Sequence, residues 1–285
     1  MTSVLVLTAA APIEAGLAAR VAAAAGCPEP VRRAPAHAEA AAPDAHPDRL
    51  AAARLAAEGA PLDVNLVTRR AAPRLLICDM DSTVITVECI DEIADFAGAK
   101  AEVAAVTERA MRGELGFEEA LAARVSALAG LESAALDRVW AERVRLSPGA
   151  RAMTAAFRAA GAETALVSGG FTWFSARVAE AAGFDSHRAN VLAERDGRLT
   201  GETVPPILGR EAKLARLREL AAAGGYGPEA IVAVGDGAND GAMIEAAGLG
   251  VAWRAKPALR AAADALLDHS DLSAVAALAG LSPAG

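Results

Sequence analysis

From Leu75 onward, short apolar runs alternate with helix-length segments, and this alternation limits the fold more than any other feature of the chain. "RLLICDMD", "ETALVSGG", "AIVAVGDGAND" and "LGVAW" read as strands. "GARAMTAAFRAAG", "TWFSARVAEAAG", "REAKLARLRELAAAGG" and "GAMIEAAG" read as helices between them. Apolar strands that alternate with helices imply a parallel sheet covered on both faces. A long, mainly helical stretch follows the first of these strands, from "VECIDEIADFAG" through "LDRVWAERV", with breaks at Gly98, Gly113 and Gly130. "ANVLAERDGRLTGETV" places Asp196-Gly197 between two apolar-tinged runs, a hairpin signal. The expected fold class is α/β: a Rossmann-like parallel core over residues 71–285, with a helical cap inserted at about residues 85–147.

Residues 1–70 read as a separate small α+β unit. "SVLVLTA" and "LDVNLVT" are strands, "IEAGLAARVAAAAG" and "RLAAARLAAEG" helices, and the Pro/Ala-rich "PEPVRRAPAHAEAAAPDAHPD" a loop. "RRAAPR" reads as the linker into the main domain.

Net charge is −8 with the acidic residues spread out, which argues against an electrostatic grip on nucleic acid or an anionic membrane. The start, "MTSVLVLTAAAP", lacks the basic residues of a signal peptide. No window approaches the roughly 18 apolar residues of a membrane span. Three scattered cysteines, Cys27, Cys78 and Cys89, show neither a disulfide framework nor zinc-ligand spacing. A cytoplasmic protein is expected.

Ligands of open α/β sheets sit beyond the carboxyl ends of the strands. Three strands here end in polar clusters: Asp79-Met80-Asp81, Ser168-Gly169-Gly170, and Gly235 to Asp240. Lys213 lies near the start of a helix. If the strands are neighbours, four carboxylates converge, and they repel unless a cation holds them. All-oxygen donors point to a hard ion, Mg2+ in preference to zinc. Carboxylates, a metal, a lysine and glycine-rich turns suit phosphoryl transfer.

"DMDST" at 79–83, "SGG" at 168–170, Lys213 and "GDGAND" at 235–240 resemble, in order, the four signature motifs of the haloacid dehalogenase-like phosphatases. The resemblance covers about residues 72–280. "DMDSTVITVECIDEIA", "MRGELGFEEALAARV", "VSGGFTWF" and "VAVGDGANDGAMIEAAGLGVAWRAKP" are closer still to the phosphoserine phosphatase family. The resemblance implies Asp79 as nucleophile, forming an aspartyl-phosphate, and Asp81 as the acid and base of the two half-reactions. It implies Lys213 as the group that neutralises the phosphate and Asp79, and Ser168, Gly169 and Asn239 as phosphate contacts. Mg2+ would be held by Asp79, the backbone carbonyl of Asp81, Asp236 and the supporting Asp240. Each residue also has a plainer reading: Asp79 as a turn former, Asp81 as a helix cap, Lys213 as a surface charge.

Within the cap, the resemblance implies that Glu88 reads the substrate ammonium and Arg124 its carboxylate, with Met111 and Phe117 lining the pocket. Helix surface charge is the alternative for Glu88 and Arg124, and cap core for Met111 and Phe117. The expected partner is the small molecule phosphoserine, hydrolysed to L-serine as the last step of serine synthesis, with neither nucleic acid nor membrane involved. Three rivals stay open: another phosphomonoester, transfer of phosphate to an alcohol, and a catalytically dead binding protein. Many bacterial relatives carry a βαββαβ ACT-like regulatory domain at the N-terminus. About two strands and two helices are legible here, so a truncated or diverged form is expected, with dimerisation to a homodimer or serine sensing as candidate roles.

Overall fold

The computed structural model describes residues 2–42, 46–112 and 114–282. It contains a four-stranded sheet of order β2-β3-β1-β4 and a seven-stranded sheet of order β11-β10-β9-β5-β6-β7-β8. The chain packs as two compact units: Met1–Ile77 with Pro148–Thr164 and Leu217–Gly285, and Cys78–Ser147 with Ala165–Arg216.

The first unit opens with β1 (Thr2–Thr8), the helix Ala15–Ala24, β2 (Val31–Ala34), β3 (His37–Ala41), the helix Pro47–Ala56 and β4 (Asp63–Arg69). β1 is central, pairing antiparallel with β3 and with β4, so that Leu5 stands opposite Ala40 and Leu66. Leu5, Leu7, Val21, Ala22, Ala53 and Leu66 form the core beneath this sheet. The Pro/Ala-rich stretch expected as a loop therefore holds a hairpin, β2 to β3. Alanine-rich segments have little intrinsic strand preference, and pairing to β1 decides the outcome. His37 and Glu39, both buried, bond side chain to side chain at 3.0 Å, and Arg69 completes the group with Glu39 at 2.6 Å. Burial raises the Glu39 carboxyl, but the bonds from His37 and Arg69 outweigh it and hold its pKa down at about 2.

Residues 217–285 add β9 (Ile231–Gly235), β10 (Leu249–Trp253) and β11 (Ala265–Leu267), with β9, β10 and β11 paired in parallel. β11 is an edge strand, and β4 covers it through side chains. Asn65 donates from Nδ2 to the Leu266 carbonyl and accepts from the Leu266 amide, both at 2.9 Å. The Asp63 carboxylate accepts from the amides of Asp268, His269 and Ser270 at 2.8–3.2 Å. These bonds satisfy polar groups that burial would otherwise leave costly.

β5 (Leu75–Cys78) is buried throughout, as expected of an inner strand. β6 (Glu163–Phe171) starts in the first unit and runs on in the second, where it pairs in parallel with β7 (Ser186–Arg195). β8 (Arg198–Val204) returns antiparallel to β7. The turn between them has positive φ at both Asp196 (52°) and Gly197 (73°), the conformation an Asp-Gly hairpin turn favours. Among the described residues, the inserted stretch holds four helices, Cys89–Phe96, Lys100–Met111, Phe117–Ser126 and Ala134–Glu142. Glycines at positive φ, Gly98 (70°) and Gly130 (81°), stand at the expected breaks, while Gly113 lies outside the described residues. Among the described residues, no helix is long and apolar enough to cross a membrane.

Candidate active site

In the second unit, the end of β5 feeds a tight turn, Met80–Val84, with Asp79 in extended conformation just before it. Asp79 Oδ1 accepts from the Met80 amide at 2.7 Å and lies 2.7 Å from Lys213 Nζ. Lys213 sits in the first turn of the helix Arg210–Gly224. Its side chain is 3% exposed and that of Asp79 7%, so this is a buried ion pair and not a solvated helix face.

Ser82, at φ 54°, breaks the turn and carries the chain back toward the cap. Its hydroxyl donates to Glu88 Oε1 at 2.6 Å, which fixes the carboxylate at the start of the helix Cys89–Phe96. Asp81 is buried between two donors: the Cys89 amide at 3.0 Å to Oδ1 and the Ser168 hydroxyl at 3.1 Å to Oδ2. Burial first, and then the charge of Glu88, push its pKa from 3.8 up to about 6, despite the bonds from Cys89 and Ser168. A carboxyl tuned to that range can give a proton and take one back.

Ser168 ends the inner part of β6 and accepts from the Gly170 amide at 2.8 Å. Any side chain at Gly170 would crowd the site: a Cβ would lie 2.5 Å from Asp81 Oδ2 and 3.0 Å from Ser168 Oγ. The "SGG" turn thus needs its second glycine for close packing against Asp81, a role the motif order alone does not reveal.

Arg124, on Phe117–Ser126, is largely buried, and burial lowers its pKa, while the charges of Asp91, Glu88 and Asp81, in that order, act to raise it. The cap therefore brings Arg124 into the electrostatic reach of Glu88 and Asp81. Asp91 belongs to the same group and was not singled out by the sequence. In the first turn of a helix it reads as an ordinary partner of the helix dipole. Its own pKa is raised by burial and by Glu88, with Arg124 opposing. Phe117 opens the helix that carries Arg124 and packs against Gly169, where a Cβ would lie 3.1 Å from its Cζ. It lines a cavity of about 670 Å³ with Ile207 and Gly209. Met111 closes the helix Lys100–Met111, and its side chain lies outside the described residues.

The first unit holds the remaining motif at the end of β9. Asp240 is fully buried, and its Oδ2 accepts from the amides of Asp236 (3.2 Å) and Gly237 (3.0 Å). A Cβ at Gly235 would lie 2.5 Å from the Asp240 carboxylate, so the glycine makes room for this bonding. Asp236 is buried, with Lys256 Nζ 3.8 Å from its Oδ2. Asn239 is half-buried beside them. Asp236 and Asp240 thus form a carboxylate pair in which Asp240 is the more tightly tied to the backbone, as suits a supporting ligand.

A family model described as haloacid dehalogenase-like hydrolase matches residues 76–245. The chain belongs to this family. Within the haloacid dehalogenase-like hydrolases it is similar to a phosphoserine phosphatase of Idiomarina loihiensis, 46% identical over 198 residues, which are 70% of this chain and 90% of that protein. It is also similar to the crystal structure of a probable phosphoserine phosphatase from Vibrio cholerae, with a TM-score of 0.83, 32% identity, and coverage of 98% of this chain and 86% of that one. A phosphoserine phosphatase solved as a phospho-aspartyl intermediate analogue matches at a TM-score of 0.66 and 39% identity, over 71% of this chain and 96% of that one.

Proposed function

We propose that this chain is a Mg2+-dependent phosphatase that hydrolyses O-phospho-L-serine to L-serine and phosphate. The observation that carries the reading is the pairing of two carboxylates of different character on one turn. Asp79 is ion-paired with Lys213 at 2.7 Å, and burial raises the pKa of Asp81, two residues on, to about 6. An ionised carboxylate is a nucleophile, and a neighbouring neutral one is an acid. The Idiomarina loihiensis relative and the intermediate analogue support the same chemistry.

Asp79 attacks phosphorus, an O–P bond forms, and the bond from phosphorus to the seryl oxygen breaks. Asp81 gives its proton to that oxygen. Water then attacks the phospho-aspartate with Asp81 now taking its proton, and the bond to Asp79 breaks. Ser168 and the Gly169 amide hold phosphate oxygens, with Asn239 a further contact, and Lys213 offsets negative charge throughout. Glu88 and Arg124 take the ammonium and carboxylate of the amino acid, a planar fork suiting two oxygens. Asp79, the Asp81 carbonyl, Asp236 and Asp240 would hold Mg2+. The donor set fits a hard cation, being all oxygen and largely buried carboxylate. When bound, the ion supplies charge to offset that of the phosphate.

A substrate panel tests the reading. Phosphate release is expected to be fastest with phosphoserine, slower with phosphothreonine and negligible with sugar phosphates. A faster sugar phosphate would overturn the substrate assignment. Capture of phosphate by added alcohols in preference to water would make the chain a phosphotransferase.

A further inference from the structure

Asn190 belongs to none of the motifs read from the sequence, yet its buried side chain makes three hydrogen bonds. It lies on β7, is 1% exposed, and uses both ends of its amide. Nδ2 donates to the Gly169 carbonyl at 2.8 Å and to the Leu208 carbonyl at 3.3 Å, while Oδ1 accepts from the Leu208 amide at 2.7 Å. The need arises from the strand register. Val167 pairs with Arg188 and Phe171 with Asn190, so Ser168, Gly169 and Gly170 stand opposite Ala189 alone. That bulge lifts Gly169 out of the regular ladder, and a bulge residue's backbone groups must be satisfied elsewhere. Asn190 supplies the missing donor.

The other end of the bridge matters as much. Leu208 lies in the short segment that leads into Arg210–Gly224, the helix carrying Lys213. One amide therefore ties the strand end next to Ser168 to the segment that places Lys213. The ring of Phe117 touches both tied pieces: a Cβ would lie 3.1 Å from the ring at Gly169 and 3.4 Å from it at Gly209.

We infer that Asn190 is a positioning residue for the phosphate site, fixing the Gly169 turn and the Lys213 helix start at one separation. The inference rests on the reading that Ser168, Gly169 and Lys213 hold phosphate. Asn190 itself need not touch the substrate. Its loss should loosen recognition of the phosphoryl group and leave recognition of the amino-acid end, at Glu88 and Arg124, largely intact.

The experiment compares wild type with Asn190→Ala, and with Asn190→Ser where Asn190→Ala does not fold. Three quantities are read: kcat and KM for phosphoserine, inhibition by orthovanadate as the phosphate probe, and inhibition by L-serine as the probe of the amino-acid end. Loss of such a bridge should weaken vanadate about tenfold or more, with kcat/KM falling at least as far, and shift serine inhibition less than about twofold. Unchanged vanadate inhibition in a folded, active variant overturns the inference alone. Equal weakening of vanadate and serine also overturns it, since a merely structural role would move both. A wild type that releases no phosphate from any phosphomonoester overturns the proposed function, and this inference with it.

Discussion

Lys213 Nζ lies 2.7 Å from Asp79 Oδ1, and both side chains are almost wholly withdrawn from solvent. Removing one partner of a buried pair leaves the other charge poorly compensated, which typically costs about 3–5 kcal/mol. Lys213→Met is expected to lower the thermal midpoint clearly and to abolish turnover. Asp79→Asn breaks the same pair and should also lower the thermal midpoint, but with the shape of the side chain kept it should stay folded by circular dichroism at 25 °C while phosphate release falls by a factor of about a thousand or more. Normal activity in Asp79→Asn would sink the mechanism.

The pH dependence follows from Asp81. Its pKa near 6 means that the proton needed by the leaving oxygen is present below that pH and is lost as pH rises through it. The rate of aspartyl-phosphate formation should therefore fall on the alkaline side of about 6. Glu88 is the second cause of the raised value, after burial, and its negative charge favours the protonated form. Glu88→Gln should move the alkaline limb to lower pH in single-turnover measurements; a limb that moves to higher pH would contradict the assignment. The same shift has a stability counterpart. Because the folded pKa exceeds the unfolded one, this group's contribution is full below pH 3.8 and is lost as pH rises to about 6.

Gly170→Ala introduces a Cβ 2.5 Å from Asp81 Oδ2 and 3.2 Å from Met80 Cε. Something must shift, and overpacking of this kind typically costs about 1–3 kcal/mol. Displacement of Asp81 should lower kcat by about a hundredfold, as loss of a positioned acid and base does. Steady-state kinetics with wild-type kcat in a folded Gly170→Ala would show that the glycine is not needed to position Asp81.

Arg124→Ala separates recognition from chemistry. Loss of a charge-assisted pair of about 3 kcal/mol should cut kcat/KM for phosphoserine about a hundredfold. Phosphoethanolamine, which lacks the carboxylate, should lose far less. Equal losses on the two substrates would remove Arg124 from the substrate pocket.

Metal dependence is checked by chelation. Excess chelator should stop phosphate release, and added Mg2+ should restore it, because the proposed ligands are carboxylates, which suit a hard cation. Full activity after exhaustive chelation would eliminate the ion from the mechanism.

Some of this was legible in the sequence because it is local. Leu75–Cys78 and Ile231–Gly235 read as strands because short continuous apolar runs between helix-length segments suit inner strands of a parallel sheet. Asp196-Gly197 gave its hairpin because both residues tolerate positive φ. The motif order picked out Asp79, Asp81, Ser168, Lys213 and Asp236, since acids, lysine and glycine-rich turns at strand ends have a narrow range of uses.

The rest depended on neighbours that the sequence does not name. The hairpin Val31–Ala34 to His37–Ala41 exists because β1 offers an edge, not because alanine, arginine and histidine prefer strands. Asp91, Gly170 and Asn190 carry no signal of their own. Asp91 matters through the charges it meets, Gly170 through the space it leaves beside Asp81, and Asn190 through two backbone segments it joins. Residue types and their order along the chain determined which chemistry is available. Burial, close approach and hydrogen-bond partners, which arise only when distant segments meet, decided that Asp79 is paired with Lys213 and that the pKa of Asp81 is raised.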